Sequence, residues 1–303
     1  MPVVRHRYVC PVRWADLDLL GHVNNVRYVD YLQEARVDML RAHRAVSGSA
    51  QPTDTLVDGI IVVRHEVGFR MPLLFSHRPV LIECWVTEIR AASFTMAYEV
   101  FHEDESTGER TVYVQASTVL APYRFDTEAP RRLTAEERTA LAAYAEPGEE
   151  RLRPAPVRVR RDPLGHYPVH VRFSDVDVYR HVNNVVYFEY FQEARIRLFS
   201  DLLADLPDLP QIQVVVAQTD VDYLAPIALR AEPYDLWTQV ARVGQRSMTL
   251  EAELADGDRA LARARVVLVF FDGATQRATE PPEALRERML EHLVTWGEAG
   301  SGV

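Results

Sequence analysis

The hydrophobic pattern changes period along the chain, and it does so twice in the same order. Residues 5–14 (Arg5-His6-Arg7-Tyr8-Val9-Cys10-Pro11-Val12-Arg13-Trp14) read as a strand, with Pro11 pointing to an edge or a bulge. From Val26 the period becomes helical. Tyr28, Tyr31, Leu32, Ala35, Met39 and Leu40 recur at spacings of three and four and predict one apolar-striped helix to about residue 45. Ser47 to Asp58 is polar, contains Gly and Pro, and reads as a loop. Four strand-like runs follow at 59–70, 79–90, 92–103 and 110–124, with a hairpin signal at Glu105-Ser106-Thr107-Gly108. Thr134-Ala135-Glu136-Glu137 is a capping box that opens a short terminal helix over 134–145.

The second half repeats this order. A strand at 166–173 precedes a helix from Val185 to about Leu206, with Tyr187, Tyr190, Phe191, Ala194, Leu198 and Leu202 on one face. Strands are expected at 211–223, 233–243, 246–256 and 259–271, and a terminal helix at about 281–296 with Thr279 available to cap it. Short connections between consecutive strands imply antiparallel sheets. Arg13–Arg36 against Arg172–Arg195 gives 14 identities in 24 positions, which marks an internal duplication with a period far too long for a solenoid. The expected organisation is α+β: a domain over 1–145, a Pro-, Arg- and Glu-rich linker over 146–163, and a domain over 164–303. In each domain an antiparallel sheet of about five strands has an apolar face to cover, and one long helix is available to cover it. The sheet should therefore wrap the helix, and two such units should pair as a pseudo-dimer.

Composition narrows the function. The chain of 303 residues is 48% hydrophobic and 26% charged, the mixture of a globular protein. Its 34 basic against 44 acidic residues give a net charge of -10. That argues against nucleic acid or an anionic membrane as the main partner, though not against a local basic patch for an anionic small molecule. Residues 1–13 lack a continuous apolar core and are expected to be neither signal peptide nor membrane anchor, and no apolar run approaches the length of a bilayer span. Cys10 and Cys84 have no metal-ligand spacing and read as reduced buried thiols of a cytoplasmic protein. No Gly-rich phosphate loop or Cys/His cluster calls for a cofactor, and none is expected.

The chemistry concentrates in a stretch that occurs twice between strand and helix. The first copy is Asp16-Leu17-Asp18-Leu19-Leu20-Gly21-His22-Val23-Asn24-Asn25. The second, 159 residues on, is Asp175-Val176-Asp177-Val178-Tyr179-Arg180-His181-Val182-Asn183-Asn184. Asn25 and Asn184 are good helix caps, and the free N–H groups and positive dipole end of a helix start can polarise a carbonyl oxygen. Asp18 and Asp177 lie seven residues earlier on the same loop. Asp16 and Asp175 read as loop-ordering residues, and Asn24 and Asn183 as loop-shaping. Glu34 with Arg36, and Glu193 with Arg195, read as buried pairs or clamps on the loop. The Tyr and Phe stripe reads as core, with a part of it available to line an acyl pocket.

Arg-x-x-Asp-x-Asp-x-x-x-His-Val-Asn-Asn, followed by Tyr28, Tyr31, Glu34, Ala35 and Arg36 and then by strands, resembles the hotdog-fold acyl-CoA thioesterases of the 4-hydroxybenzoyl-CoA type. It also resembles the acyl-carrier-protein thioesterases built as double hotdogs. The resemblance implies a tandem hotdog enzyme that hydrolyses an acyl thioester. It implies that Asp18 and Asp177 are the catalytic carboxylates, as nucleophile or as base for water, and that the backbone N–H at Asn25 and Asn184 is the oxyanion donor. His22 and His181 either orient water or substrate or bond the loop. Plant acyl-carrier-protein enzymes carry Asp-x-Asn-x-His, whereas Leu20 and Tyr179 stand at the Asn position here, which favours coenzyme A over a carrier protein. Hydratases of this fold carry Asp-x-Asn-Pro-x-His, which neither copy has. The alternative to an enzyme is an acyl-CoA-binding protein without turnover, and further homo-oligomerisation is compatible with either. Arg180 stands in the second copy at the position that Gly21 holds in the first. Either Arg180 meets coenzyme A phosphates or the second half-site is altered or silent.

Overall fold

A computed structural model describes residues 5–47, 58–124, 126–148, 154–206, 213–275 and 277–294. The chain divides into two compact units, Met1–Pro154 and Ala155–Val303. No helix among the described residues is long and apolar enough to cross a membrane.

In unit 1, β1 (His6–Cys10) leads through a 3₁₀ turn (Trp14–Asp16) to α1 (Asn25–Ser47). Then come β2 (Asp58–Phe69), β3 (Val80–Ile89), β4 (Phe94–Glu103), β5 (Arg110–Arg124), the two-residue β6 (Ala129–Pro130) and α2 (Ala135–Ala142). The five long strands form an antiparallel sheet in the order β1-β3-β4-β5-β2. β1 stops at Cys10 because Pro11 has no N–H for the ladder, so the strand expected to reach Trp14 is shorter. α2 carries the predicted capping box: Thr134 Oγ1 accepts the Glu137 N–H and the Glu137 carboxylate accepts the Thr134 N–H.

Unit 2 repeats the plan. β7 (His166–Val169), a 3₁₀ turn (Phe173–Asp175) and α3 (Val186–Leu203) precede β8 (Gln213–Tyr223), β9 (Tyr234–Val243), β10 (Ser247–Asp256) and β11 (Arg259–Asp272). The short β12 (Arg277–Ala278) and α4 (Glu283–Glu291) close it. The sheet order is β7-β9-β10-β11-β8. The proposed cap of α4 is corrected: Thr279 donates its N–H to the Phe270 carbonyl and stays with the sheet, and Pro282 holds the cap position.

The helix supplies the core of each unit because its stripe is continuous. In α1, Tyr28, Leu32, Ala35 and Met39 are almost fully buried, and so are the facing β3 and β4 residues Ile82, Cys84, Phe94 and Tyr98. In α3, Leu198 and Leu202 pack with Val240, Leu250, Leu268, Phe270 and the α4 residues Leu285 and Met289. Burial pushes the thiols of both Cys10 and Cys84 up to about 12, so neither is a nucleophile at neutral pH.

Candidate active site

Each motif folds as a hairpin with a three-residue loop. In unit 1 the Gly21 N–H donates to the Asp18 carbonyl (3.1 Å) and the Asp18 N–H to the His22 carbonyl (2.8 Å). Gly21 closes the loop at φ 77, the left-handed position that such a loop requires. Unit 2 repeats both bonds, from Arg180 to Asp177 (3.0 Å) and from Asp177 to His181 (2.9 Å). Arg180 sits at φ 64. The Gly-to-Arg exchange therefore leaves the turn unchanged and adds backbone strain of about 1–2 kcal/mol.

Asp18 helps to build this turn. Its Oδ1 accepts the N–H of Leu20 (2.8 Å) and of His22 (3.1 Å), and Asp177 Oδ1 accepts the N–H of Tyr179 (2.8 Å). In Asp18 the second carboxylate oxygen carries no hydrogen bond from a described residue. One carboxylate can thus shape the loop with one oxygen and present the other.

Asp16 orders the loop, as its place in the sequence implied. It is 1% exposed. It accepts the Arg13 N–H (2.9 Å) and guanidinium (2.9 Å) and the Tyr31 hydroxyl (2.6 Å). Burial alone would raise its carboxyl, but these donors outweigh it and leave Asp16 below the ordinary carboxylate value. Asp175 accepts the Arg172 N–H (2.8 Å) and the Tyr190 hydroxyl (2.7 Å) in the same way. Each first Asp thus ties the 3₁₀ turn to the helix. The hairpins also dock on the segment before the next strand: Val23 N–H donates to Leu73 and Val182 N–H to Ile227, both at 2.9 Å.

The helix starts differ from the sequence reading. Asn24 is the cap of α1: its Oδ1 accepts the Val26 N–H at 3.0 Å and its carbonyl the Arg27 N–H at 2.9 Å. Asn25 follows as the first helical residue, so its N–H is one of the first-turn amides without an intrahelical acceptor. Asn183 plays the capping part in unit 2, accepting the Val185 N–H at 3.1 Å. There the Tyr223 hydroxyl bonds the Asn184 carbonyl at 2.8 Å, and α3 begins only at Val186. In unit 1 the corresponding residue is Phe69, which packs edge-on against Tyr28 at 5.8 Å and has no hydroxyl to give.

Asp18, Gly21 and His22 share one hairpin, and Asn25 opens the helix that follows. Tyr28 joins them. Its hydroxyl is pushed up chiefly by burial, with the Leu73 backbone opposing and the Asp18 charge adding to the rise. Tyr187 stands in the same relation to Ile227 and Asp177. Both had read as ordinary members of the core stripe, and their repetition three residues after each Asn25-like position was the signal available. Glu34 and Glu193 are exposed, while Arg36 is buried, so the expected buried pair with Glu34 does not form. Large exposed apolar side chains gather at the hairpins and their docking segments: Leu19, Leu20, Met71 and Leu74 in unit 1, and Val178, Leu224 and Leu229 in unit 2. Among the described residues no group of three or more His, Cys, Asp or Glu could hold a metal ion.

Solved structures share this architecture across both units. A structure carrying the name oleoyl thioesterase, from Lactobacillus plantarum, aligns with a TM-score of 0.71 at 14% identity, covering 89% of this chain and 98% of that one. The 12:0-ACP thioesterase from Umbellularia californica aligns at 0.64 with 15% identity, over 88% and 97%. An acyl-ACP thioesterase from Bacteroides thetaiotaomicron aligns at 0.59 with 16% identity, over 88% and 97%. At these identities the likeness shows the fold, a tandem hotdog. Among curated proteins, the uncharacterised YsmA of Bacillus subtilis is 32% identical over 124 residues, 40% of this chain and 82% of YsmA. The sequence profile of the thioesterase-like superfamily matches residues 12–156 and 171–289, one segment in each unit. These segments span more than half of the sequence and carry both motifs: the chain belongs to the thioesterase-like superfamily.

Proposed function

We propose that this thioester hydrolase cleaves acyl-CoA to a free carboxylic acid and coenzyme A, with Asp18 and Asp177 as the working carboxylates. The observation that carries the reading is the Asp18 carboxylate, fixed through one oxygen by two backbone N–H groups and unbonded at the other. Its turn precedes a helix start whose Asn25 N–H has no intrahelical acceptor. The amides at Asn25 and Asn184 receive the carbonyl oxygen as it gains negative charge. The carboxylate either attacks the carbonyl, breaking the C–S bond to release coenzyme A thiolate and form a mixed anhydride that water then opens to the free acid, or takes the proton from a water that attacks the carbonyl and expels the same thiolate. His22 and His181 orient that water. The exposed apolar side chains around each hairpin suit an acyl group, and Arg180, exposed beside its turn, suits a coenzyme A phosphate. A net charge of -10 favours coenzyme A over an acidic carrier protein. The setting this implies is cytoplasmic fatty acid metabolism.

The test is thiol release from short, long and aromatic acyl-CoAs, read with a thiol reagent. Release from at least one class that is lost in the Asp18→Asn, Asp177→Asn double variant is expected. No release from any class overturns the reading.

A further inference from the structure

Unit 1 holds an open aromatic surface beside its hairpin that unit 2 lacks. Trp14 begins the 3₁₀ turn, and it is 73% exposed. Its indole packs edge to face with Phe75, centroids 5.3 Å apart and planes at 81°. Phe75 meets His77 in the same manner, at 5.2 Å and 76°. The three rings therefore fix one another's orientation while most of the indole surface stays in water. They also sit at the site. Trp14 precedes Asp18 by four residues, a span of at most about 14 Å. Phe75 follows Leu74, which pairs with His22 of the hairpin.

The rings lie in a basic stretch of an acidic chain. Residues 11–15 and 70–79 contain Arg13, Arg70, His77 and Arg78 and no carboxylate, although the whole chain has a net charge of -10. Arg13 uses Nε and Nη2 on Asp16, and its Nη1 bonds no described residue. Arg78 donates to the Glu103 carbonyl and borders Asp104 and Glu105 across an open recess, so Arg13 is the cation on the hairpin side that no second carboxylate faces. Unit 2 shows what packing alone requires. Leu73 and Ile227 hold the same place, since each accepts the N–H of the hairpin valine, Val23 or Val182. Counted from there, Leu229, Ala231 and Glu232 replace Phe75, His77 and Arg78. Phe173 replaces Trp14, is 85% exposed and has no ring partner among the described residues. Arg230 is taken up by Asp256 at 2.8 Å and by the Glu232 and Pro233 carbonyls. The unit folds without a platform and without a basic rim.

We propose that Trp14, held by Phe75 and His77, is the platform on which unit 1 stacks the adenine base of coenzyme A, with Arg13 beside it for the nucleotide phosphates. This rests on the acyl-CoA reading above. An exposed, oriented indole offers a purine the π-face it stacks on, and cations beside it suit a ligand that is aromatic at one end and anionic next to that end. In coenzyme A a long flexible arm separates base from thioester, so a platform a few residues from Asp18 holds the nucleotide while the arm folds back to the carboxylate. The two half-sites then hold the same nucleotide differently, by its base in unit 1 and by a phosphate at Arg180 in unit 2.

The experiment uses the full chain. Coenzyme A, adenosine 3′,5′-bisphosphate and phosphopantetheine are titrated by calorimetry into the native chain and into Trp14→Ala, Trp14→Phe and Phe173→Ala. Trp14→Ala is expected to weaken coenzyme A and the bisphosphate about 5- to 100-fold, as loss of one base–aromatic stack implies, and to leave phosphopantetheine unchanged. Trp14→Phe, which keeps a ring, should restore most of the loss, and Phe173→Ala should change nothing. In the native chain the bisphosphate should also shield indole fluorescence from acrylamide, a protection absent in Trp14→Phe; this second reading decides if Trp14→Ala unfolds. Coenzyme A bound equally by the native chain and Trp14→Ala, or no more tightly than phosphopantetheine, overturns the platform and leaves the acyl-CoA reading standing. A loss in Phe173→Ala as large as in Trp14→Ala overturns its assignment to unit 1. A changed oligomeric state of Trp14→Ala in sedimentation overturns it in favour of a second copy on this face. No binding of coenzyme A by the native chain overturns the platform and the acyl-CoA reading together.

Discussion

Asp18 is both a turn residue and the proposed catalytic carboxylate, and the two roles separate on substitution. Asp18→Asn keeps an Oδ1 acceptor for the Leu20 and His22 N–H groups, 2.8 and 3.1 Å away, but removes the charge. Asp18→Ala removes both. Each backbone hydrogen bond contributes about 0.5–1.5 kcal/mol net. Losing two in a partly exposed hairpin should therefore cost Asp18→Ala about 1–3 kcal/mol. For a chain of this size each kcal/mol lowers Tm by about 2–4 °C, and Asp18→Asn should stay within about 2 °C of the parent. Activity should fall alike in both, by roughly 10²–10⁴. The measurement belongs in an Asp177→Asn background, since a working second half-site would otherwise mask part of the loss. Thiol release and calorimetric unfolding are then read on the same preparations. Asp18→Asn retaining more than about a tenth of the activity refutes the catalytic role. Equal Tm values for Asn and Ala refute the turn role.

As single variants, Asp18→Asn should remove most of the thiol release and Asp177→Asn less, because the amides are presented differently at the two helix starts; equal losses would sink that inequality. Arg180→Gly should stabilise unit 2 by about 1 kcal/mol by relieving the left-handed backbone at φ 64, and a lowered Tm would contradict it. Tyr31→Phe should cost about 1–3 kcal/mol at pH 7, since it strips a donor from the buried Asp16 carboxylate. Asp16 is lowered in the folded chain, so the stability it supplies is present above its unfolded value of about 3.9. That stability is lost as pH falls through the folded value. The gap between parent and Tyr31→Phe, followed by denaturant titration, should close over that acid range and not at alkaline pH.

The elements were legible because each has a clean period: two along β2 to β5 and β8 to β11, and three to four along α1 and α3. Their ends were less so, for local reasons. The motif holds two adjacent asparagines, both competent caps, and composition cannot say which one the hairpin leaves in register. Docking of Val23 on Leu73 and of Asn24 on Asp16 fixes it, and the first of these contacts joins segments far apart in sequence. Thr279 looked like a cap by type but is held by the Phe270 carbonyl in the sheet. The loop-ordering part of Asp16 was legible in outline, whereas the turn bonds that Asp18 accepts from Leu20 and His22 needed the fold of the hairpin. The part played by Tyr28 and Tyr187 was hidden, because a tyrosine on an apolar stripe looks the same whether its hydroxyl faces a carboxylate or a backbone amide.

The difference between the half-sites lies elsewhere than Gly21 against Arg180 suggested. That exchange changes neither the turn bonds nor the left-handed backbone, so it adds strain and a surface charge without reshaping the loop. The substitution that does reshape a site is remote in sequence, on the last residue of β2 and β8. Phe69 leaves the Asn25 carbonyl to the helix, whereas the Tyr223 hydroxyl engages the Asn184 carbonyl and moves the first helical residue to Val186. The Val186 to Asn183 bond repeats Arg27 to Asn24 of unit 1, but the Phe188 to Val185 bond that follows it, of the same tighter i to i+3 kind, turns the leading amides of α3 from the α-helical direction. An oxyanion donor is sensitive to such rotation, because its contribution depends on aim at the oxygen that gains charge. Tyr223→Phe should therefore bring the unit 2 rate toward that of unit 1, where Arg180→Gly alone should not. Measured in the Asp18→Asn background, a faster Arg180→Gly and an unchanged Tyr223→Phe would return the asymmetry to the turn.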